Sequence, residues 1–259
     1  MRPILTPEQM RELDRRTIEE LGMPGMVLME LAARGVMLEV EAILGGRPAG
    51  ARVLVFCGPG NNGGDGFAVA RRLLNLRAEP TVYLFAERGR LRGDAKSNCE
   101  IFERLGGEVV EVTDPAALEN LPFADILVDA LLGTGLRGGA EGLLAAGIEA
   151  INRHPAPVVA VDIPSGIDGA NGQAEGPAVR AEITATFGEV KAGHILSPGL
   201  EHAGRISRVD IQIPPKFVEE LEVGLFLIEP DDVYDMLPVR PLDAHKGDAG
   251  KVLLVAGSV

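Results

Sequence analysis

Two aspartates close apolar runs in this chain, Asp129 after Ile126-Leu127-Val128 and Asp162 after Val158-Val159-Ala160-Val161. A carboxylate at the end of a buried strand is poorly solvated and needs a partner. One such residue is explained by capping a turn or bonding nearby N–H groups. Two, together with Asn62 and Ser165, suggest a cation site or acid–base chemistry. Asn62, Asp129, Ser165 and loop carbonyls form an oxygen-only set with one carboxylate, which suits a monovalent hard cation better than magnesium. Lys191, in Gly188-Glu189-Val190-Lys191-Ala192-Gly193-His194, reads either as an acid–base or phosphate-binding group or as a surface lysine. His154, His194, His202 and His245 share no ligand spacing, so surface or packing roles are expected of them.

Glycine marks the other candidates. Val53 to Cys57 is an apolar strand leading into Gly58-Pro59-Gly60-Asn61-Asn62-Gly63-Gly64-Asp65-Gly66, with an amphipathic stretch behind it. Strand, glycine loop and helix is the layout of a dinucleotide site. The G-x-G-x-x-G match is weak alone, because a tight strand-to-helix turn produces it too. Asp65 stands where a phosphate would otherwise be welcomed, so this is no ordinary phosphate cradle. Gly133-Thr134-Gly135-Leu136-Arg137-Gly138-Gly139 reads as a second anion-binding loop or as a flexible turn. Glu87 stands where a ribose-binding acid would fall, but Arg88, Arg90 and Arg92 beside it favour a solvated loop charge.

The elements that must position these residues follow from the pattern of apolar positions. Thr6, Pro7 and Gln9 announce a capped first helix with Met10, Leu13, Ile18 and Leu21 on one face. A second, largely buried helix is expected from Gly25 to Leu44. Strands are expected at 52–57, 80–85, 108–112, 125–130, 157–162, 182–187 and 205–213, and helices near 65–77, 94–105, 115–120 and 141–153. This alternation predicts an α/β fold, a Rossmann-like three-layer αβα sandwich with a mostly parallel sheet and two N-terminal helices. The loops after the first, fourth, fifth and sixth strands then share the carboxyl edge of the sheet, where ligands bind in such folds. A connector is expected over 216–244, with a further strand at 251–256.

Composition narrows the function classes. The 259 residues are 46% hydrophobic and 24% charged, enough for one sizeable core. The net charge of −13 argues against a nucleic-acid surface. No apolar run reaches membrane-span length, and the N-terminus lacks a signal-peptide segment. Cys57 and Cys99 offer neither a disulfide framework nor a metal site, and both read as packing residues. The expectation is a cytoplasmic protein.

Four motifs in order carry a resemblance. They are Gly22-Met23-Pro24-Gly25-Met26-Val27-Leu28-Met29-Glu30, the Gly58–Gly66 loop, Val128-Asp129-Ala130-Leu131-Leu132-Gly133-Thr134-Gly135 and Val161-Asp162-Ile163-Pro164-Ser165-Gly166. At these residues the chain resembles the NAD(P)HX epimerases, the YjeF N-terminal family, over roughly residues 1–225. Residues 226–244 would then be a connector. His245 to Val259 resembles the opening of a ribokinase-like, ADP- or ATP-dependent dehydratase domain, otherwise absent. The resemblance implies an isomerase that interconverts the R and S forms of hydrated NADH and NADPH, so that an S-specific dehydratase restores the cofactor. It implies that Asn61, Asn62, Gly63, Gly64 and Asp65, with Gly133, Thr134, Gly135, Leu136, Arg137, Gly138 and Gly139, hold the substrate. Asp162 would contact the hydrated ring, and Asn62, Asp129 and Ser165 match the family's potassium ligands. A homo-oligomer is also implied. Many members carry Met-Glu-Asn-Ala-Gly where this chain has Met29-Glu30-Leu31-Ala32-Ala33, and leucine there suits a buried helix position.

The hydrated carbon bears both the ring nitrogen and a hydroxyl. It can invert by losing and regaining water, or by opening to an aldehyde and reclosing. Either route needs a positioned acid–base group. Asp162 is expected in that role, with Lys191 assisting. Two rival classes share the fold: an NAD-dependent oxidoreductase, and a nucleotide-binding or scaffold module without turnover.

Overall fold

The apolar runs form a seven-stranded sheet in a computed structural model that describes residues 1–237, 242–245, 247–248 and 250–257. In chain order the elements are β1 (Arg2–Ile4), α1 (Pro7–Glu19), α2 (Gly25–Ile43), β2 (Arg52–Cys57), α3 (Asn61–Asn75), β3 (Glu79–Leu84), α4 (Gly93–Arg104), β4 (Glu108–Glu111) and β5 (Ile126–Ala130). They continue with α5 (Gly142–Arg153), β6 (Val158–Val161), β7 (Ile183–Phe187), α6 (Ala192–Ile195), α7 (Gly199–Ala203), β8 (Arg205–Val209), α8 (Pro215–Glu219), β9 (Leu225–Leu227) and α9 (Pro230–Met236). The sheet order is β4-β3-β2-β5-β6-β7-β8, and all its pairs are parallel. Both faces are covered. Val53, Val55, Val128 and Val161 pack with α2, α3 and α4 on one side, and Leu54, Phe56, Leu127 and Val158 pack with Ile148 and Ile151 of α5 on the other. Two buried faces are why these strands read as continuous apolar runs rather than alternating ones. The Rossmann-like three-layer sandwich is the fold of this chain.

The strand order reverses between β2 and β5, so the loops after these strands meet at the switch point. Their backbones touch. A Cβ on Gly58 would lie 1.9 Å from the Leu131 carbonyl oxygen, and one on Gly63 would lie 1.9 Å from the Gly58 carbonyl oxygen. Gly66 faces the Cys57 sulfur and Ala130 Cβ at 2.6 and 2.7 Å from the same imagined atom. Glycine here serves close approach rather than an unusual φ.

Several boundaries differ from expectation. Helix α3 begins at Asn61, not near Asp65, so Asn61, Asn62, Gly63 and Gly64 are helical. Consecutive glycines disfavour a helix by local propensity, yet Gly63 packs on the Gly58 backbone and Gly64 on Met29 of α2 and Ala95 of α4, which leaves no room for side chains. Strand β8 stops at Val209, short of 213, and residues 115–120 hold only a 3-10 turn at Pro115–Leu118. Thr6 does cap α1, accepting from the Gln9 N–H at 3.2 Å while the Gln9 side chain accepts from the Thr6 N–H at 2.8 Å.

Residues Pro3–Leu225 form one unit, and Met1–Arg2 with Phe226–Val259 form a second. In the second, an Arg2–Glu229 ion pair of 2.7 Å stands beside α9. The expected connector therefore contains a helix. The strand expected at 251–256 does not form: residues 251–257 have no regular structure and Leu253 is 87% exposed. Within the proposed dehydratase opening at 245–259, Lys246, Ala249, Ser258 and Val259 lie outside the described residues.

Gly63→Ala forces two backbone segments apart and is expected to cost about 2–3 kcal/mol in urea unfolding. Gly60→Ala, where a Cβ meets nothing within 4 Å, should cost no more than about 1 kcal/mol. Equal losses would contradict the close-approach role.

Candidate active site

Asp162 stands just beyond β6 with φ +65, left-handed backbone that an L-residue adopts only when held there. Its N–H donates to the Ala185 carbonyl at 2.9 Å. Its own carbonyl accepts from His194 Nε2 at 2.8 Å. Its Oδ1 accepts from Lys191 Nζ at 2.6 Å, the Phe187 N–H at 3.1 Å and the Thr186 hydroxyl at 3.2 Å. Its Oδ2 accepts nothing among the described residues, so one carboxylate oxygen is fixed and the other is left for a ligand.

Lys191 is 1% exposed, which removes the surface-lysine reading. Its ammonium also donates to Thr186 Oγ1 at 2.9 Å and the Phe187 carbonyl at 2.8 Å. With Asp162 these account for all three of its N–H bonds. The backbone beside it is tied to the chain entering α1: Leu5 N–H donates to Val190 O at 2.9 Å, and Ala192 N–H to Leu5 O at 3.1 Å. Burial alone would raise the Asp162 carboxyl, but the Lys191 ammonium and the Phe187 N–H hold it below the usual carboxylate range.

His194 belongs to this cluster, although no motif marks it. Its Nδ1 accepts from the Lys191 N–H at 3.0 Å, so Nε2 must carry the proton given to the Asp162 carbonyl. Burial and then the Lys191 charge push its pKa down to about 4. The ring is neutral at physiological pH and fixed in one tautomer.

A cavity of about 190 Å³ opens over Asp162, lined among others by Asn61, Asp65, Thr134, Lys191 and Asp14. That is below the roughly 300 Å³ of a drug-sized pocket, so it suits a single ring rather than a whole dinucleotide. Asp65 is 8% exposed, and burial with the charges of Asp162 and Asp14 raises its carboxyl well above the usual range. Asp14 lies on the Met10-Asp14-Ile18 stripe of α1, an acid at i, i+4 spacing between apolar residues, which was the available sequence signal.

Asn62, Asp129 and Ser165 form a second, adjoining group under the switch-point loops. The Ser165 hydroxyl donates to Asp129 Oδ1 at 2.5 Å and accepts from the Leu132 N–H at 2.9 Å. The Ser165 N–H donates to Asp129 Oδ2 at 2.8 Å, and Asn62 Nδ2 to the Leu132 carbonyl at 3.0 Å. Asp129 is fully buried, and burial raises its carboxyl to about 6 against these bonds. It has no cationic partner among the described residues. An oxygen-rich cluster around an uncompensated buried carboxylate fits a monovalent cation. Of the 133–139 loop, Thr134 reaches the cavity, whereas Arg137 is exposed and pairs with Glu8 at 2.6 Å. Glu87 is exposed.

The model of the family described as YjeF-related protein N-terminus matches residues 25–193. The chain belongs to this family. Among family relatives, the bifunctional NAD(P)H-hydrate repair enzyme Nnr of Moorella thermoacetica is 41% identical over 98% of this chain and 49% of its own length. The NAD(P)H-hydrate epimerase of Rhodopirellula baltica is 35% identical over 85% of this chain and 89% of its own. This chain spans about half the length of the bifunctional relatives it matches. The solved structure of yeast YNL200c shares the fold, with a TM-score of 0.72 at 23% identity, covering 88% of this chain and 97% of that one.

The His194 pKa is depressed in the fold, so its contribution to stability is present above about pH 6.5 and is lost as pH falls toward 4. Relative to His194→Gln, which does not titrate, the native protein should lose about 3 kcal/mol over that window in urea unfolding. A pH-independent difference would contradict a buried neutral histidine.

Proposed function

We propose that this chain is an NAD(P)H-hydrate epimerase, interconverting the R and S forms of hydrated NADH and NADPH. The observation that carries the reading is the Asp162 carboxylate, with one oxygen anchored by Lys191 and the other open to a ring-sized cavity. The Rhodopirellula relative, named an epimerase and matched over most of its length, supports it.

The substrate's nicotinamide hydrate enters the cavity over Asp162, and its phosphates run toward the switch point. There the first-turn N–H groups of α3, at Asn61, Asn62 and Gly63, lack helical partners and favour anions. Gly64, Asp65, Thr134 and the remainder of the Gly133–Gly139 loop complete the binding surface. Asp162 handles the proton of the C6 hydroxyl. Lys191 acts through Asp162, since its own N–H bonds are taken. Asn62, Asp129 and Ser165 would hold potassium, which would supply the positive charge that buried Asp129 lacks. The S epimer passes to an S-specific dehydratase, which we place in cis in the bifunctional form, with residues 245–259 at its start. We further propose a homo-oligomer in the cytoplasm. Glu87 is not among the residues that line the cavity over Asp162, so the acid an oxidoreductase would set on a ribose stands apart from this site.

R-enriched NADHX incubated with the protein in potassium buffer, with the R/S ratio followed by chromatography, should equilibrate far faster than it does spontaneously. Replacing potassium with sodium should slow equilibration, and Asp162→Asn should reduce it by at least about 100-fold. Binding without acceleration would instead favour a module without turnover.

A further inference from the structure

The acids of α1 are not alike. Glu8 pairs with Arg11 at 2.8 Å and Arg137 at 2.6 Å, and Glu12 and Glu19 pair with Arg15 at 2.7 and 2.8 Å. Asp14 alone among the acids of this helix has no ion pair or hydrogen bond among the described residues, although Arg11, Arg15 and Arg16 are its near neighbours in sequence. Unlike those acids, it lines the cavity that Asp162 and Lys191 line. A helix this rich in arginine could have satisfied an ordinary surface aspartate. Instead Asp14 is set between Met10 and Ile18, facing the site. Its placement is also constrained, because the Leu5 bridge that fixes the backbone around Lys191 lies one residue before the Thr6 cap of α1. The helix bearing Asp14 and the loop bearing Lys191 are therefore held by the same few residues.

We propose that Asp14 is a second catalytic residue of the epimerisation, working with Asp162 as an acid–base pair that drives loss and re-addition of water at C6. This rests on the epimerase reading above. In one direction the Asp14 carboxylic acid gives its proton to the C6 hydroxyl. The C6–O bond breaks, water leaves, and the N1 lone pair becomes the N1=C6 double bond of an iminium cation. Water then attacks C6 from the other face, the π electrons return to N1, and the surplus proton passes to the Asp162 carboxylate. The reverse direction runs the same steps backwards, so one proton is exchanged between the two groups and no redox partner is needed. A cavity with acids from α1, α3 and the β6 end stabilises the cation better than it would an anion.

The environments of the pair support the division of labour. The groups lining the cavity around Asp14 are Arg11 of its own helix, Asp65 of α3, Asp94 of α4, Asp162 and Lys191. Burial raises the Asp14 carboxyl to about 6, with Lys191 opposing and Asp162 adding to the rise. Asp162 is held low by Lys191, so the two carboxyl groups are pushed apart as an acid and a base require. Asp65 also lines the cavity, and burial with the charges of Asp162 and Asp14 raises its carboxyl well above the usual range, so substitution must separate it from Asp14.

The test is the pH–rate profile of Asp14→Asn against the native protein and Asp65→Asn, with NADHX as substrate and the spontaneous rate subtracted. Asp14→Asn should lower kcat at least about 100-fold with KM changed less than about threefold. Native kcat/KM should fall on the alkaline side of about pH 6, where Asp14 loses its proton. That limb should disappear in Asp14→Asn and persist in Asp65→Asn. A native-like kcat in Asp14→Asn, or an alkaline limb that survives in it, would overturn the proposal while leaving the epimerase reading standing. A native protein without epimerase activity would overturn both. Thermal unfolding of each variant identifies a folding defect, and Asp14→Glu, which keeps the carboxyl, should recover activity and the limb if the group itself matters.

Discussion

The site depends on one buried ion pair, Lys191 with Asp162. Removing one partner of such a pair leaves an uncompensated charge in the interior, at a cost of about 3–5 kcal/mol. Here the pair does more than compensate charge. Asp162 holds a left-handed backbone that costs roughly 1–3 kcal/mol and persists only when its surroundings over-determine it. A bond to the Ala185 carbonyl and bonds from Phe187, Thr186, His194 and Lys191 provide that over-determination. The result is a carboxylate with one oxygen fixed and the other offered to the cavity.

Everything around the pair follows from topology. The strand order reverses between β2 and β5, so their two loops approach closely enough that Gly58 has no room for a side chain beside Leu131, and the first turn of α3 folds back so that Gly63 has none beside Gly58. That contact pulls the first turn of α3 onto the sheet edge and brings Asn62 beside Leu132, over the buried Asp129 and Ser165. On the other side, the Leu5 bridge couples Lys191 to α1. Two groups of polar residues, one around Asp162 and one around Asp129, are thereby set side by side at a single edge of the sheet.

Much of this was legible in the sequence. The parallel sheet followed from short apolar runs alternating with helices, and Asp129 and Asp162 were visible as charges ending buried strands. What local pattern hid was what tertiary contact decides. Gly63-Gly64 reads as loop by propensity, yet it lies inside α3 because Gly63 abuts the Gly58 backbone and Gly64 abuts Met29 and Ala95. Lys191 and His194 sit in a glycine-flanked stretch indistinguishable from a surface loop, and only three-dimensional packing buries them. Asp14 is masked by the arginines and glutamates around it, though its i, i+4 spacing to Met10 and Ile18 distinguishes it. The strand expected at 251–256 fails because its residues are largely exposed, and an apolar run gains nothing from strand geometry without a sheet to join.

The most direct test of the account is a double-mutant cycle between Asp162→Asn and Lys191→Met, read as kcat/KM for NADHX epimerisation. If Lys191 works by holding Asp162, the losses will be strongly non-additive, and the double variant will be about as slow as the worse single variant. Losses that multiply would mean that Lys191 acts on the substrate independently, and the buried pair would not be the foundation of the site.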